Sequence, residues 1–369
     1  MPEPIVTQRQ LIRMPVRMPA AILLACLATA APAAEPALSG AGAIFPFPLY
    51  ATWLKQLARD PDVRSAWNST GARIDYRATS TDAGVQALIE GDVDFAASDR
   101  SIDNAEMAKV TRGVVALPMT AGSVVLAYNL PGVTDLRLPR TIYPAIFAGR
   151  ITRWDDPAIA AANPDVTLPA LDITVGVRAD AARATDVLTA HLSAVDAQFK
   201  RDIGRAKAPA WPEQPSFMRA AMNDGVAAAI AQTPGAIGYL DYGYAKLAGV
   251  SALARLENKA GQFVAPSVVA GAASLAEVSF PEAKLPSGAA DLRAQDYDPA
   301  GDAAYPITAM TWMLFYAKGY GGERHAAVRD LIDYATSDAA QQQAADLGYV
   351  PLPERVLTLS RAAAGVIAE

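Results

Sequence analysis

Short apolar runs alternate with amphipathic, alanine-rich stretches along most of the chain, and this alternation restricts the fold more than any other feature. Val93-Asp-Phe-Ala-Ala97, Ser123–Tyr128, Ile173–Val177 and Thr311–Tyr316 read as buried strands. Between them, Asp82–Glu90 places Val85, Leu88 and Ile89 on one helical face and stops at Gly91. Pro46–Leu57, Ala184–Leu192, Gly225–Ala231, Arg324–Tyr334 and Pro353–Ala368 are further helix candidates. Strands alternating with helices imply an α/β protein with ligands at the carboxyl ends of its strands. Residues 279–306, rich in Pro, Asp and Gly, read as a long surface connection. No internal repeat or heptad is present.

Residues 1–34 read as a secretion signal. Arg9, Arg13 and Arg17 form a basic start, Met18–Ala31 is apolar but too short for a membrane span, and Ala31-Pro-Ala33 offers a cleavage site. Met14 or Met18 is an alternative start. The chain's one cysteine, Cys26, follows Leu23-Leu-Ala25 in a segment that resembles a lipoprotein box, yet the apolar run continues past it. Ordinary cleavage near Ala33 is favoured, and the mature chain then has no thiol chemistry. With His191 and His325 the only histidines, a histidine-based metal site or catalytic triad is not expected.

The 369 residues suffice for two domains, and 52% hydrophobic residues exclude a disordered chain. The net charge of −6 becomes about −8 once the leader, with three arginines and Glu3, is removed. That balance argues against nucleic acid and gives no long-range attraction for anions. An anion site must therefore work through local dipoles and a few placed arginines.

Four segments offer such groups. In Leu38-Ser-Gly-Ala-Gly-Ala-Ile-Phe-Pro-Phe-Pro-Leu-Tyr50, a strand ends in small residues and a helix begins at the prolines. The first N–H groups of a helix lack internal partners and carry the positive end of its dipole. The alternative is that the glycines serve only the turn. Arg77-Ala-Thr-Ser-Thr-Asp-Ala-Gly84 is a second polar turn, where Ser80 or Thr81 either caps the next helix or presents a hydroxyl to an oxyanion. Asp99 follows the strand at 93–97; it caps a helix or turn before Ile102, or it selects oxyanions that keep a proton, as hydrogen phosphate does and sulfate does not. Arg178 follows the strand at 173–177, with Asp180 beside it; it pairs with Asp180 alone, or its planar fork holds a tetrahedral oxyanion.

In this order the pieces resemble the family of periplasmic phosphate-binding proteins that serve bacterial ABC importers. The resemblance covers roughly residues 37–360. It rests on Ser39-Gly-Ala-Gly-Ala-Ile-Phe-Pro46, Gly91-Asp-Val-Asp-Phe-Ala-Ala-Ser-Asp99, Gly149-Arg-Ile-Thr-Arg-Trp-Asp-Asp156, Asn223-Asp-Gly225, Pro234-Gly-Ala-Ile-Gly-Tyr239 and Tyr305-Pro-Ile-Thr308. It implies an α/β, two-lobed periplasmic-binding-protein fold with two crossing strands as hinge, near 123–129 and 305–308. Lobe 1 would comprise 37–125 and 307–369, and lobe 2 would comprise 126–306.

The resemblance also implies ligand-binding positions: Ile44, Phe45, Thr81, Asp99, Arg178, Ala182, Arg183 and Ala184. The family has threonine at Ile44, so a hydroxyl is lost there. Its Ser-Gly-Thr cradle becomes Ala182-Arg183-Ala184, so three of its four ligand hydroxyls are missing unless Thr185 supplies one. Arg183 either folds into the cleft and replaces those donors or points to water. The expected function is capture of phosphate or a related oxyanion in the periplasm and delivery to an inner-membrane ABC permease. Rival readings are the same fold with another anion or an organic acid, and a ligand-independent envelope adaptor or sensor. No nucleophile–base pair, metal cluster or cofactor loop is visible, so neither catalysis nor a cofactor is expected. A monomer is expected.

Overall fold

The computed structural model describes residues 37–59 and 73–369. The secretion signal, its cleavage site, Cys26 and the alternative starts lie outside the described residues. No helix among the described residues is long and apolar enough to cross a membrane.

The strands are β1 (Leu38–Gly42), β2 (Ile74–Ala78), β3 (Phe95–Ser98), β4 (Val114–Tyr128), β5 (Arg137–Leu138), β6 (Thr174–Arg178), β7 (Phe217–Ala220), β8 (Ala236–Asp241), β9 (Arg255–Glu257), β10 (Phe263–Val264) and β11 (Thr308–Tyr316). Eight form one sheet in the order β2-β1-β3-β11-β4-β8-β6-β7, and β10-β9-β5 form a small second sheet. At one end β2, β1 and β3 run parallel; at the other β8, β6 and β7 do. The antiparallel pair β4 and β11 joins the two groups.

Both joining strands pass from one hydrophobic core to another. Val114–Leu117, Met119 and Ala121 of β4 belong to the first core, and Val124–Tyr128 to the second. On β11, Met310 and Trp312–Tyr316 lie in the first core and Ala309 in the second. All 15 residues of β4 are buried, as an almost unbroken apolar run predicts for a strand covered on both faces. This is the two-lobed fold with two crossing strands. Both strands are longer than their apolar patterns suggested, because Pro118 and Gly122 interrupt the first pattern. The ladder absorbs Pro118 in a bulge: Thr311 pairs with Thr120 and Trp312 with Pro118, leaving Met119 as the extra residue.

Residues 279–306 differ from the expected surface connection. Leu285, Ala289 and Leu292 pack into the first core, and the Trp312 indole N–H donates to the Leu292 carbonyl at 2.8 Å. Buried apolar side chains at these positions outweigh the segment's Pro and Gly content.

The helix Arg183–Val195 matters most for the cavity described below, and His191 anchors it. The imidazole is fully buried. Its Nδ1–H donates to the Tyr297 carbonyl at 2.6 Å, and Nε2 accepts from the Tyr143 hydroxyl at 2.8 Å. Burial pushes its pKa down to about 4. The unfolded chain therefore takes up this proton first as pH falls, so the stabilisation is complete above about pH 6.5 and is lost between there and pH 4. We expect unfolding free energy in urea to drop by at most about 1.4 kcal/mol per pH unit across that window. His191→Gln should flatten the profile there; parallel profiles would refute the assignment.

Candidate functional site

Five strands end at one cavity of about 670 Å³. Ile44 and Phe45 follow β1, Thr81 follows β2, Asp99 follows β3, Ala182–Ala184 follow β6, and Arg178 and Asp241 are the last residues of β6 and β8. Carboxyl ends of α/β strands present free helix N-termini, which is why ligands collect there. All eight residues singled out in the sequence line this cavity.

On the first wall, the N–H groups of Ile44 and Phe45 have no partner among the described residues. The Phe45 carbonyl accepts from the Tyr349 hydroxyl at 2.8 Å, and the Phe45 ring lies over Gly122, where a Cβ would come within 2.2 Å of the ring. Ser80, not Thr81, caps the helix Thr81–Glu90 by accepting from the Ala83 N–H. Thr81 instead donates its hydroxyl hydrogen to Asp99 Oδ1 at 2.6 Å and accepts the Asp99 N–H at 3.1 Å. Asp99 caps no helix, since Asp103 fills that role with a full capping box. Asp99 Oδ2 has no partner among the described residues, so one acceptor at the cavity wall remains open.

On the second wall, Arg178 donates from Nε and Nη2 to the two carboxylate oxygens of Asp180, at 2.8 and 2.5 Å. The guanidinium holds the Asp180 carboxyl at a pKa of about 2. Its Nη1 edge makes no hydrogen bond among the described residues. The backbone N–H of Met222 also donates to Asp180, at 2.9 Å. Met222 reaches that position with φ 59°, the one positive-φ non-glycine residue described.

The helix Arg183–Val195 begins at Ala182, which provides no side-chain cap. The N–H groups of Arg183, Ala184 and Thr185 have no partner among the described residues. Thr185 does not restore a cradle hydroxyl: it is buried and pairs with the Tyr239 hydroxyl at 2.6 Å. Tyr239 in turn accepts the Arg178 N–H at 3.1 Å.

Arg183 does not point out to bulk water. Its side chain is 5% exposed. Nη2 donates to the carbonyls of Ala309 at 2.8 Å and Gly122 at 3.3 Å, one on each crossing strand. Nη1 reaches Asp241 at 3.4 Å, and the guanidinium stacks 3.9 Å from the centre of the Phe45 ring. Nε is buried without a partner. The arginine thus bonds to the floor of the cleft and leaves the helix N–H groups to face the cavity.

Asp241, Asn223 and Lys207 also line the cavity, and the sequence did not mark them as ligand candidates. Asp241 stands at the end of a buried strand as Asp99 does, and the same strand-end rule could have found it. Four basic and four acidic residues share the lining, so an anion gains no surplus charge and depends on aimed dipoles. We expect Arg183→Ala to lower unfolding free energy in urea by about 3 kcal/mol. Arg183→Lys should recover less than half, because an ammonium lacks the planar fork that spans these partners. A loss below about 1 kcal/mol would show that these bonds do not hold the cleft floor.

A sequence model described as the PBP superfamily domain matches residues 28–339. The phosphate-binding protein PstS of Pasteurella multocida (strain Pm70) is 33% identical over 322 residues, covering 87% of each chain. That of Xylella fastidiosa (strain 9a5c) is 31% identical, over 87% of this chain and 82% of its own. The crystal structure of the phosphate-binding protein from Stenotrophomonas maltophilia superposes with a TM-score of 0.58 at 19% identity, covering 88% of this chain and 93% of that one. The chain therefore belongs to the PBP superfamily, in the family of the phosphate-binding proteins PstS.

Proposed function

We propose that this chain captures phosphate or a closely related oxyanion in the cleft between its lobes and delivers it to an ABC permease of the inner membrane. The leader at 1–34 would export it to the periplasm. Binding and release, with no covalent step, is the whole of the proposed activity.

One observation carries this reading: unpartnered helix N–H groups, the Arg178 guanidinium and the Asp99 carboxylate converge on a single cavity. The N–H groups at the start of Arg183–Val195 would bond two oxyanion oxygens along the helix dipole. The Nη1 edge of Arg178 would take a third, while Asp180 keeps the guanidinium in plane. Hydrogen phosphate would donate its remaining proton to Asp99 Oδ2. Sulfate has no such proton, and a carboxylate facing it unpaired is repulsive. The cradle lacks hydroxyls at Ile44, Ala182 and Ala184, each of which would have contributed about 1.5–3 kcal/mol.

Two variants test these roles by isothermal titration with phosphate and sulfate. Asp99→Asn should lower the phosphate-to-sulfate affinity ratio by about tenfold to a hundredfold; an unchanged ratio would remove Asp99 as the selector. Arg178→Ala should weaken phosphate binding about a hundredfold while the variant still unfolds cooperatively. Wild-type affinity in that variant would exclude Arg178 as a ligand.

A further inference from the structure

The cavity is much larger than a tetrahedral oxyanion requires. Its volume of about 670 Å³ lies within the range of about 300–1,000 Å³ typical of sites for organic ligands. A four-oxygen anion fills the space of only a few waters, at about 30 Å³ each. Two side-chain contacts bridge the rims of the cleft. Lys246, beside the second core, donates to the carbonyls of Ala345 and Asp346 beside the first, at 3.3 and 2.9 Å. Lys207 and Asp82 form a second bridge at 3.5 Å.

The surplus space is apolar at its mouth. Six large hydrophobic side chains are exposed among the described residues, and four of them, Ile44, Met222, Leu247 and Leu347, line this cavity. Leu247 is 88% exposed. Exposed apolar surface gathered in one place and framed by polar groups is the mark of a binding groove. The polar groups that suit an anion are also gathered, at Asp99, Arg178 and the start of the helix Arg183–Val195.

We propose that the ligand is an organic phosphate or phosphonate: an anionic head joined to an apolar substituent. The head occupies the polar groups, and the substituent lies against Ile44, Met222, Leu247 and Leu347. This rests on the oxyanion reading above and narrows it to a substrate class. Apolar burial at the mouth then supplies affinity that the hydroxyl-poor cradle lacks.

Titration calorimetry at pH 6 tests the idea, since a phosphate monoester there still carries its second proton in about half the molecules. The probes are inorganic phosphate, n-hexyl phosphate and n-hexanol. We expect n-hexyl phosphate to bind at least about tenfold tighter than inorganic phosphate, and n-hexanol to give no binding heat. The double variant Leu247→Ser, Leu347→Ser should cut that advantage below about threefold. If inorganic phosphate binds as tightly as its hexyl ester, the substrate class is wrong and the oxyanion reading survives. If the double variant leaves the advantage intact, the apolar mouth does not hold the substituent and the proposal falls. Hexanol binding as tight as the ester would also overturn it, because the head would then contribute nothing. Silence from both phosphates would overturn the oxyanion reading together with this proposal.

Discussion

The antiparallel pairing of β4 with β11 is the constraint on which the rest depends. Nine residues of β11 pair with β4 from Val114 to Ser123, and β4 then continues alone to pair with β8. Each strand is buried along its length, so their backbone groups have no water to fall back on and must bond to each other. The two parallel half-sheets are attached to this pair from opposite sides, which turns the carboxyl ends of both towards one space. Arg183 reinforces the same pair from the second lobe by bonding to one carbonyl on each strand.

Much of the fold was legible because it is written in local patterns. The helix Thr81–Glu90 ends at Gly91, which adopts φ 86°, as its left-handed preference requires. The strands β3 and β6 were readable as short apolar runs. The crossing strands were readable only in part, because Pro118 and Gly122 look like breaks until the opposite strand is present. Pro118 needs the bulge opposite Thr311 and Trp312, and Gly122 leaves room for the Phe45 ring. Both reasons lie far away in sequence.

The site divides along the same line. Asp99 and Arg178 stand at strand ends, where a general rule finds them. The role of Arg183 was open because its acceptors lie 61 and 126 positions away, and no spacing encodes that. Thr81 was identified as a hydroxyl for the ligand, yet its hydrogen goes to Asp99. It orients that carboxylate and leaves one oxygen free. The charge neutrality of the lining also follows from tertiary structure, since Asp241 joins Arg183 across 58 residues.

Met222 shows how the chain distributes strain around a charge. Its left-handed backbone costs on the order of 1 kcal/mol or more for a residue with a side chain, while glycine would adopt it freely. The strained turn is what aims its N–H at Asp180, and Asp180 in turn fixes the Arg178 fork. The orientation of the main guanidinium in the cleft is therefore set partly by a dihedral angle 44 residues away. Relaxing that angle would free the arginine to rotate without removing any polar side chain, so precision at this site is a property of the backbone as much as of the groups it carries.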